Sequence, residues 1–374
     1  MKNVVFWMSS YLPELGGFQW STFRLARALK NNGWNVLIVT KKSDEGGFPP
    51  EIPVKSFTAD NLMQWVEISG KWLIDNRDKF DVIHVIDLFY HSIDPQFAVL
   101  AKLARPTVLK IPTAACLPRI INDSNIGYLN FIDAFSALNE QIIDELVSLK
   151  VSTDRIYLFP NGLDCQEFKP AIDKTDLRAR MNLPTNDILV LYVGRLVRRK
   201  RLDVLLDVFD RIGTKAKLLL VGAGFDQKDS VEDEIIERAR KMENVLIFPA
   251  TPNVLGYYNC CDIHTLISEV EGMPNSIIES MACALPNVAT NISGVRELIT
   301  SGVNGFLVPI GDSDATFQAI LNLINNPALR AEMGQVSRNK IMAEFSIDLI
   351  AKKYINLYLK LLEEKNESNL NYPI

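Results

Sequence analysis

The stretch that decides the fold is DIHTLISEVEGMPNSIIESMACALP, residues 262–286. Its first six residues, 262–267, have the apolar composition of a buried strand. A loop with glycine and proline follows, and a helix is expected to begin between Pro274 and Ser276, because proline is accepted in a first helical turn. A strand, a loop and a helix in this order are typical of a βαβ unit, which predicts a parallel sheet.

The same alternation extends outward from this stretch to both ends of the chain. A segment at 160–187, with an Asn-Gly pair, three prolines and mixed charge, interrupts it and is interpreted as a linker. Helices dominate from residue 313 onward. The predicted strands are 2–9, 34–40, 54–57, 81–86, 107–111, 133–138 and 155–159 before the linker, and 188–194, 217–222, 244–248, 262–267, 286–290 and 305–309 after it.

Two α/β halves of this kind predict two doubly wound parallel-sheet domains. In such domains the ligand crevice lies at the carboxyl ends of the strands, so two of them facing each other would leave a cleft. We expect the first domain to cover residues 1–165 and the second 166–345, with a terminal helical segment at 346–374.

Composition narrows the classes of function. The 374 residues are 48% hydrophobic and 23% charged, and the formal net charge of −5 argues against a nucleic-acid binder. Five cysteines without a Cys-x-x-Cys pair indicate free thiols in a reducing cytoplasm rather than disulfides or zinc. The sequence has no apolar run of about 20 residues, so no membrane span is expected, although a peripheral membrane contact stays open.

Two loops that follow predicted strands carry candidate binding residues. Gly16 and Gly17 lie between the first strand and the first helix, where glycine lets the backbone approach an anionic ligand; a tight turn without a ligand is the alternative. In YVGRLVRRKRLDVLL, residues 192–206, Arg195 and Lys200 are placed to bind a diphosphate. The other basic residues of this run are interpreted as solvated or as an acceptor-side patch: Arg198, Arg199 and Arg201.

The opening stretch holds Glu271 before the predicted helix and Glu279 about one turn into it. The N–H groups of the first helical turn form an anion site, expected here at Asn275, Ser276 and Ile277. A nucleotide sugar would satisfy the whole arrangement, with its diphosphate at the helix start, sugar hydroxyls on Glu271 and ribose hydroxyls on Glu279. The alternative is that Glu279 only complements the helix dipole.

At these residues the chain resembles the retaining family-four glycosyltransferases, which have the GT-B fold of two Rossmann-like domains. Glu271 and Glu279 are similar to the family's E-x7-E motif, and GRLVRRKRLDVLL resembles its phosphate-clamp segment. Three further segments match family motifs: PNGLD at 160–164, GVRELITSGVNGFLVPIGD at 294–312 and PELGGFQW at 13–20.

The resemblance implies a role for each matching residue. Glu271, Arg195 and Lys200 would act in catalysis, by contacting the donor sugar and the diphosphate, and Gly17 would lie on the phosphate or acceptor side. The first domain would bind the acceptor, the second the nucleotide sugar, and the last helix would cross back onto the first domain. The remaining donor-binding positions of the motif are Gly272, Met273, Pro274, Asn275, Ser276, Ile277 and Glu279.

The chain departs from the family at two places. The family's His-x-His places its second histidine near the reacting sugar, whereas this chain has His84 and then Ile86. His84 is interpreted as a structural residue at a strand end, and Asp87 and His91 are alternative candidates for the missing role. Ala284 stands where the family often has glycine, which is interpreted as a packing change.

The expected activity is transfer of a hexose from a nucleoside-diphosphate sugar, UDP-linked or GDP-mannose, to a sugar or lipid-linked acceptor. The departing phosphate would itself take the acceptor proton. Cations and helix N–H groups would stabilise the charge growing on the diphosphate, so neither a metal nor a cofactor is expected. GDSDA at 311–315 is interpreted as a helix cap rather than a metal site. Two alternatives stay open: a sugar-nucleotide epimerase and a non-catalytic scaffold subunit. The expected location is the cytoplasm, including the inner face of the membrane.

Overall fold

A computed structural model of the chain describes residues 1–12, 16–42, 48–86, 93–112, 117, 121, 125–223 and 230–370. The chain forms two compact units. Unit 1 comprises Met1–Gly162 with Ile347–Ile374, and unit 2 comprises Leu163–Ser346.

Unit 1 is an alternating α/β structure around one parallel sheet. Its strand order is β3-β2-β1-β4-β5-β6-β7, so the order reverses direction between the neighbours β1 and β4. Its elements before the second unit are β1 (Asn3–Trp7), α1 (Gly17–Asn31), β2 (Asn35–Lys41), β3 (Val54–Phe57), α2 (Leu62–Asp75), β4 (Val82–Val85), α3 (Ile93–Leu103), β5 (Thr107–Ile111), β6 (Ala134–Ala137), α4 (Glu140–Ser148) and β7 (Ile156–Leu158).

Unit 2 repeats this plan with a second parallel sheet. Its strand order is β10-β9-β8-β11-β12-β13, and the reversal falls between the neighbours β8 and β11. Its elements are α5 (Lys174–Arg180), β8 (Leu189–Val193), α6 (Leu202–Ile212), β9 (Lys217–Val221), α7 (Glu232–Ala239), β10 (Val245–Phe248), α8 (Val254–Cys260), β11 (Ile263–Leu266), α9 (Asn275–Ala282), β12 (Asn287–Thr290), β13 (Gly305–Val308), α10 (Ser313–Asn325) and α11 (Pro327–Glu344).

The two parallel α/β sheets confirm the predicted fold class. Each of the predicted strands is present within a few residues of its expected position, because short apolar runs between turn residues mark buried strands well. The interpretation of 160–187 as a linker was wrong in part. The segment contains α5, which packs against α8 and which its short and mixed-charge sequence does not reveal.

The last helix, α12 (Ile347–Leu370), belongs to unit 1 and packs against α1. Two buried tyrosines anchor it to the sheet: Tyr358 Oη lies 2.7 Å from His84 Nδ1, and Tyr354 Oη lies 2.6 Å from Ser136 Oγ. Burial, together with the Lys110 ammonium, lowers the pKa of His84 well below its usual range. His84 is therefore a neutral residue within the packed core, as the sequence predicts.

Among the described residues, no helix is both long enough and apolar enough to span a bilayer.

Candidate active site in the second unit

The predicted donor-site residues of unit 2 collect at the point where its strand order reverses. β8 and β11 are hydrogen-bonded neighbours, and their carboxyl ends lead into the loops that carry Arg195 to Arg201 and Glu269 to Pro274. In doubly wound sheets ligands bind outside the carboxyl ends of the strands at this switch point. Topology therefore brings the two loops to the position where a ligand site is expected.

Close backbone packing fixes the loop after β8. Gly194 and Gly222 follow adjacent strands, and a Cβ on Gly222 would lie 1.9 Å from the Gly194 carbonyl oxygen, so only glycine fits there. The buried Tyr192 hydroxyl donates to the Arg195 carbonyl at 2.8 Å. The chain then makes a short 3₁₀ turn, Arg198–Lys200, and enters α6 through Arg201 in the left-handed conformation (φ 49°).

Lys200 and Glu271 form an ion pair between the two loops. The Lys200 ammonium contacts Glu271 Oε1, and the two side chains are only 11% and 15% exposed. Backbone bonding supports the pair, because Glu269 N–H donates to the Arg199 carbonyl at 2.8 Å. The sequence assigned Lys200 and Glu271 to different parts of a ligand, whereas the structure shows that they also compensate each other's charge.

This ion pair is surrounded by further polar groups. Burial and the nearby Glu271 carboxylate raise the pKa of Tyr192, which keeps its hydroxyl protonated as a donor at ordinary pH. The positive charges of Arg195 and Arg199 act to lower the pKa of Tyr192. Arg195, Arg199, Lys200 and Glu271 therefore share one electrostatic neighbourhood around the end of β8.

The three remaining arginines of the basic run differ in environment. Arg198 is exposed, which agrees with its interpretation as a solvated residue, and Arg199 is half-buried. Arg201 forms ion pairs with Asp203 at 3.2 Å and with Glu269 at 3.3 Å, and all three side chains are partly exposed. Its acidic partners lie on α6 and on the other loop, and the basic run alone did not reveal them.

Helix α9 begins where the sequence predicts. Pro274 is its N-cap residue and provides no side-chain cap, and the first helical residue is Asn275. The prediction that Ile277 offers a free N–H was wrong, because this group donates to the Pro274 carbonyl at 3.1 Å. The anion site expected at this helix start therefore loses one of its three predicted N–H donors. Gly272, Met273 and Pro274 are buried in the loop before it.

Glu279 lies within α9 and has a defined protein partner. Glu279 is only 7% exposed, and its Oε2 accepts a hydrogen bond of 2.9 Å from the Tyr258 hydroxyl. Tyr258 is fully buried on α8. Tyr258 could not be identified from the sequence, because nothing in its local pattern distinguishes it from an ordinary core aromatic residue.

A buried polar network holds α9 against the sheet. Asn287 Oδ1 on β12 lies 2.8 Å from Ser280 Oγ and 2.7 Å from His264 Nδ1. Burial lowers the pKa of His264 to about 4, and the bond to Asn287 opposes this effect. His264 is therefore neutral near pH 7 and serves as a structural support for the helix that carries Glu279.

The Asp-x-Asp sequence at 311–315 has structural partners. Asp312 caps α10 by accepting a hydrogen bond from the Ala315 N–H at 2.8 Å, which confirms the predicted cap. Asp314 pairs with Arg211 at 2.7 Å. Both carboxylates thus stabilise the α10 region of unit 2.

Ala284 has a backbone conformation that favours glycine. It has φ 59°, in the left-handed region that costs about 1–2 kcal/mol for a residue with a Cβ. Alanine at this position therefore carries backbone strain that glycine would avoid.

The predicted glycines of the other loop belong to unit 1. Gly16 is the N-cap residue of α1 and Gly17 is its first residue. The Gln19 amide lies against Gly16, where a Cβ would come within 2.2 Å of Gln19 Oε1, the far end of a flexible side chain. Asp87 and His91, the alternatives for the second family histidine, lie outside the described residues.

The comparisons with known proteins cover nearly the whole chain. A family model described as glycosyltransferase family 4 matches residues 15–167, and one described as glycosyl transferases group 1 matches residues 173–340. The capsular polysaccharide biosynthesis glycosyltransferase CapM of Staphylococcus aureus is 28% identical over 208 residues, which cover 54% of each chain.

Two further similarities extend over the full length. The UDP-Gal:alpha-D-GlcNAc-diphosphoundecaprenol alpha-1,3-galactosyltransferase of Escherichia coli is 28% identical over 383 residues, covering 95% of this chain and 96% of its own. The crystal structure of Anabaena HepE in complex with UDP-glucose superposes with a TM-score of 0.82 at 19% identity, covering 96% of this chain and 100% of that one. The chain therefore belongs to the group 1, family 4 glycosyltransferases and has the GT-B fold.

Proposed function

We propose that the protein transfers a hexose from a UDP-sugar to an acceptor hydroxyl with retention of the anomeric configuration. GDP-mannose is the second candidate donor. Residues 166–345 would bind the nucleotide sugar, residues 1–165 the acceptor, and residues 346–374 would complete the first domain. The observation that carries the proposal is the Lys200–Glu271 pair beside the start of α9, at the switch point of the second sheet.

The ion pair suggests how the site accepts its ligand. A largely buried cation and anion must each be compensated, and in this structure they compensate each other. A nucleotide sugar supplies both replacements at once, since its diphosphate is an anion for Lys200 and its sugar hydroxyls are donors for Glu271. An inorganic anion would compensate Lys200 but would offer no hydroxyl groups to Glu271. The site should therefore prefer an intact nucleotide sugar.

The chemistry follows from charge stabilisation. The acceptor oxygen forms a bond to the anomeric carbon, the bond from that carbon to the phosphate oxygen breaks, and the acceptor proton passes to the departing phosphate. Arg195, Lys200 and the first N–H groups of α9 would stabilise the charge that grows on the diphosphate. Glu271 would orient the transferred sugar, and Gly16 and Gly17 would lie on the phosphate or acceptor side.

Relatives guide the choice of substrates. HepE of Anabaena is described in complex with UDP-glucose, and the E. coli relative acts on a diphosphoundecaprenol-linked sugar. We therefore propose a sugar or lipid-linked acceptor in cell-envelope glycan synthesis, a cytoplasmic location and a peripheral contact with the inner face of the membrane. Turnover of the donor without any acceptor would instead indicate an epimerase, and binding without turnover would indicate a scaffold subunit.

Activity is expected to survive an excess of EDTA. Two basic side chains and a helix N-terminus already provide the positive field that a divalent metal would provide, and Asp312 and Asp314 are engaged in a cap and an ion pair. UDP release should be measured before and after chelation. A loss of activity that Mg²⁺ or Mn²⁺ restores would contradict metal independence.

Glu279→Ala is expected to weaken UDP binding. Hydrogen bonds to a charged group contribute about 1.5–3 kcal/mol, which corresponds to about a tenfold or larger increase in Kd. Calorimetric titration of UDP into the wild type and the variant tests this, with GDP titrated in parallel. Unchanged dissociation constants for both nucleotides would show that Glu279 does not hold the ribose.

A further inference from the structure

The Tyr258 hydroxyl donates a hydrogen bond to the Glu279 carboxylate. The phenol ring is fully buried, and the bond from its oxygen to Glu279 Oε2 measures 2.9 Å. The two groups come from different helices, α8 and α9, and are separated by 21 residues in sequence. The contact therefore exists only because the fold places α8 beside α9.

This hydrogen bond constrains how Glu279 presents its carboxylate. A phenol hydroxyl donates hydrogen bonds, and a carboxylate can accept about four hydrogen bonds on its two oxygens. A bond from Tyr258 to one oxygen fixes the rotation of the carboxylate and leaves acceptor capacity for ligand hydroxyls. Fixing the group before the ligand arrives reduces the ordering cost of binding.

The phenol is itself held by its neighbours. Its ring lies 5.9 Å from the His264 ring and 6.4 Å from the Phe168 ring, measured between centroids. His264 is bonded to Asn287 beneath the same helix α9. The donor and the acceptor of the Tyr258–Glu279 bond thus rest on one buried framework.

We propose that Tyr258 is a positioning residue that sets the selectivity of the donor site for ribose hydroxyls by orienting Glu279. The inference rests on the proposed function, in which Glu279 binds the ribose. It adds a residue from outside both binding loops to the determinants of donor recognition.

Calorimetric titration of Tyr258→Phe with two ligands tests the proposal. UDP carries both ribose hydroxyls, and 2′,3′-dideoxyuridine 5′-diphosphate carries neither. The variant should bind UDP up to about tenfold more weakly, because Glu279 must then be ordered when the ribose binds, and should bind the dideoxy ligand as the wild type does. An equal loss for both ligands, or no loss for UDP, would overturn the proposal.

Two controls separate this role from a structural one. Tyr257→Phe removes the neighbouring hydroxyl on the same helix, from a half-buried residue, and should leave both affinities unchanged. In a Glu279→Ala background, Tyr258→Phe should have no further effect on UDP, because the two side chains act as a unit. Failure of Tyr258→Phe to fold would assign the hydroxyl to structure and also contradict the proposal.

The same titrations distinguish the inference from the proposed function. If Glu279→Ala removes the preference for UDP over the dideoxy ligand while Tyr258→Phe keeps it, the inference fails and the ribose role of Glu279 stands. If Glu279→Ala itself keeps the preference, the ribose role fails, and the inference fails with it.

Discussion

Lys200→Ala is expected to lower kcat about 10²–10³-fold while raising the donor KM much less. The bound diphosphate is already charged, so Lys200 contributes to affinity, but more negative charge collects on the phosphate as the glycosidic bond breaks. A fixed ammonium gains interaction energy at that moment. It therefore stabilises the transition state more than the bound donor, which lowers the activation barrier. UDP release over a range of donor concentrations separates kcat from KM.

The ion pair requires controls for this experiment. Removing Lys200 leaves the Glu271 carboxylate, only 15% exposed, without its cation, so the variant's folding must be checked before its kinetics are interpreted. Lys200→Arg should rescue turnover only in part, because a planar guanidinium does not reproduce a compact ammonium.

Arg198→Ala is the matched control for Lys200. It lies in the same 3₁₀ turn, is exposed, and should change kcat little. Arg201→Ala is a less suitable control, because it would also break the ion pairs of Arg201 with Asp203 and Glu269. Wild-type kcat in a folded Lys200→Ala variant, or equal damage from Arg198→Ala, would contradict the role assigned to Lys200.

Arg178→Ala is expected to lower the free energy of unfolding of unit 2 by about 3–5 kcal/mol, the typical effect of breaking a buried ion pair by removing one partner. Arg178, 4% exposed, joins α5 to the start of β8 and β11. It donates to Asp262 Oδ2 at 2.6 Å, to the Cys260 carbonyl at 2.7 Å and to the Asp187 carbonyl at 2.9 Å. Its removal leaves Asp262 and these carbonyls with fewer donors.

Two details make this stability test specific. Arg180→Ala, two residues further along α5, removes an ion pair to Asp176 whose side chains are 68% and 55% exposed, so it should change stability by less than about 1 kcal/mol.

All five tryptophans lie in unit 1, so intrinsic fluorescence does not report on unit 2. Amide hydrogen exchange of peptides from β8 and β11 should be measured instead, and an equal effect of the two variants would refute the role of Arg178.

The ion pairs of Asp262 make the stability of unit 2 depend on pH. Burial alone would raise the pKa of Asp262, but Lys174, the Leu189 N–H and Arg178 together lower it below its ordinary value of 3.8. A carboxylate with a lowered pKa stabilises the folded state fully above its ordinary pKa. This stabilisation is lost as the pH falls through the lower folded pKa.

The parallel sheets could be predicted from sequence because their signals are local. Buried strands such as β8 are short apolar runs between turn residues, and the start of α9 is marked by Pro274. The segment 160–187 was misjudged because α5 is seven residues long and is held by Arg178 through bonds to residues up to 84 positions away. No periodicity within such a segment reveals a partner that distant.

The candidate site was predictable only in part, for the same reason. The positions of Lys200, Glu271 and Glu279 after their strands follow from motif and topology. The pairing of Lys200 with Glu271 spans 71 residues, and the bond from Tyr258 to Glu279 joins two helices. Contacts between side chains of separate elements depend on packing geometry, which composition and spacing do not encode locally.

Amide hydrogen exchange with and without UDP tests the central claim most directly, because it shows which part of the chain binds the nucleoside diphosphate. We predict that saturating UDP slows exchange in peptides covering 194–201 and 271–282, and that Glu279→Ala reduces this protection. Protection confined to peptides of unit 1, or binding of UDP that leaves both segments unchanged, would contradict the assignment of the donor site to the switch point of the second sheet.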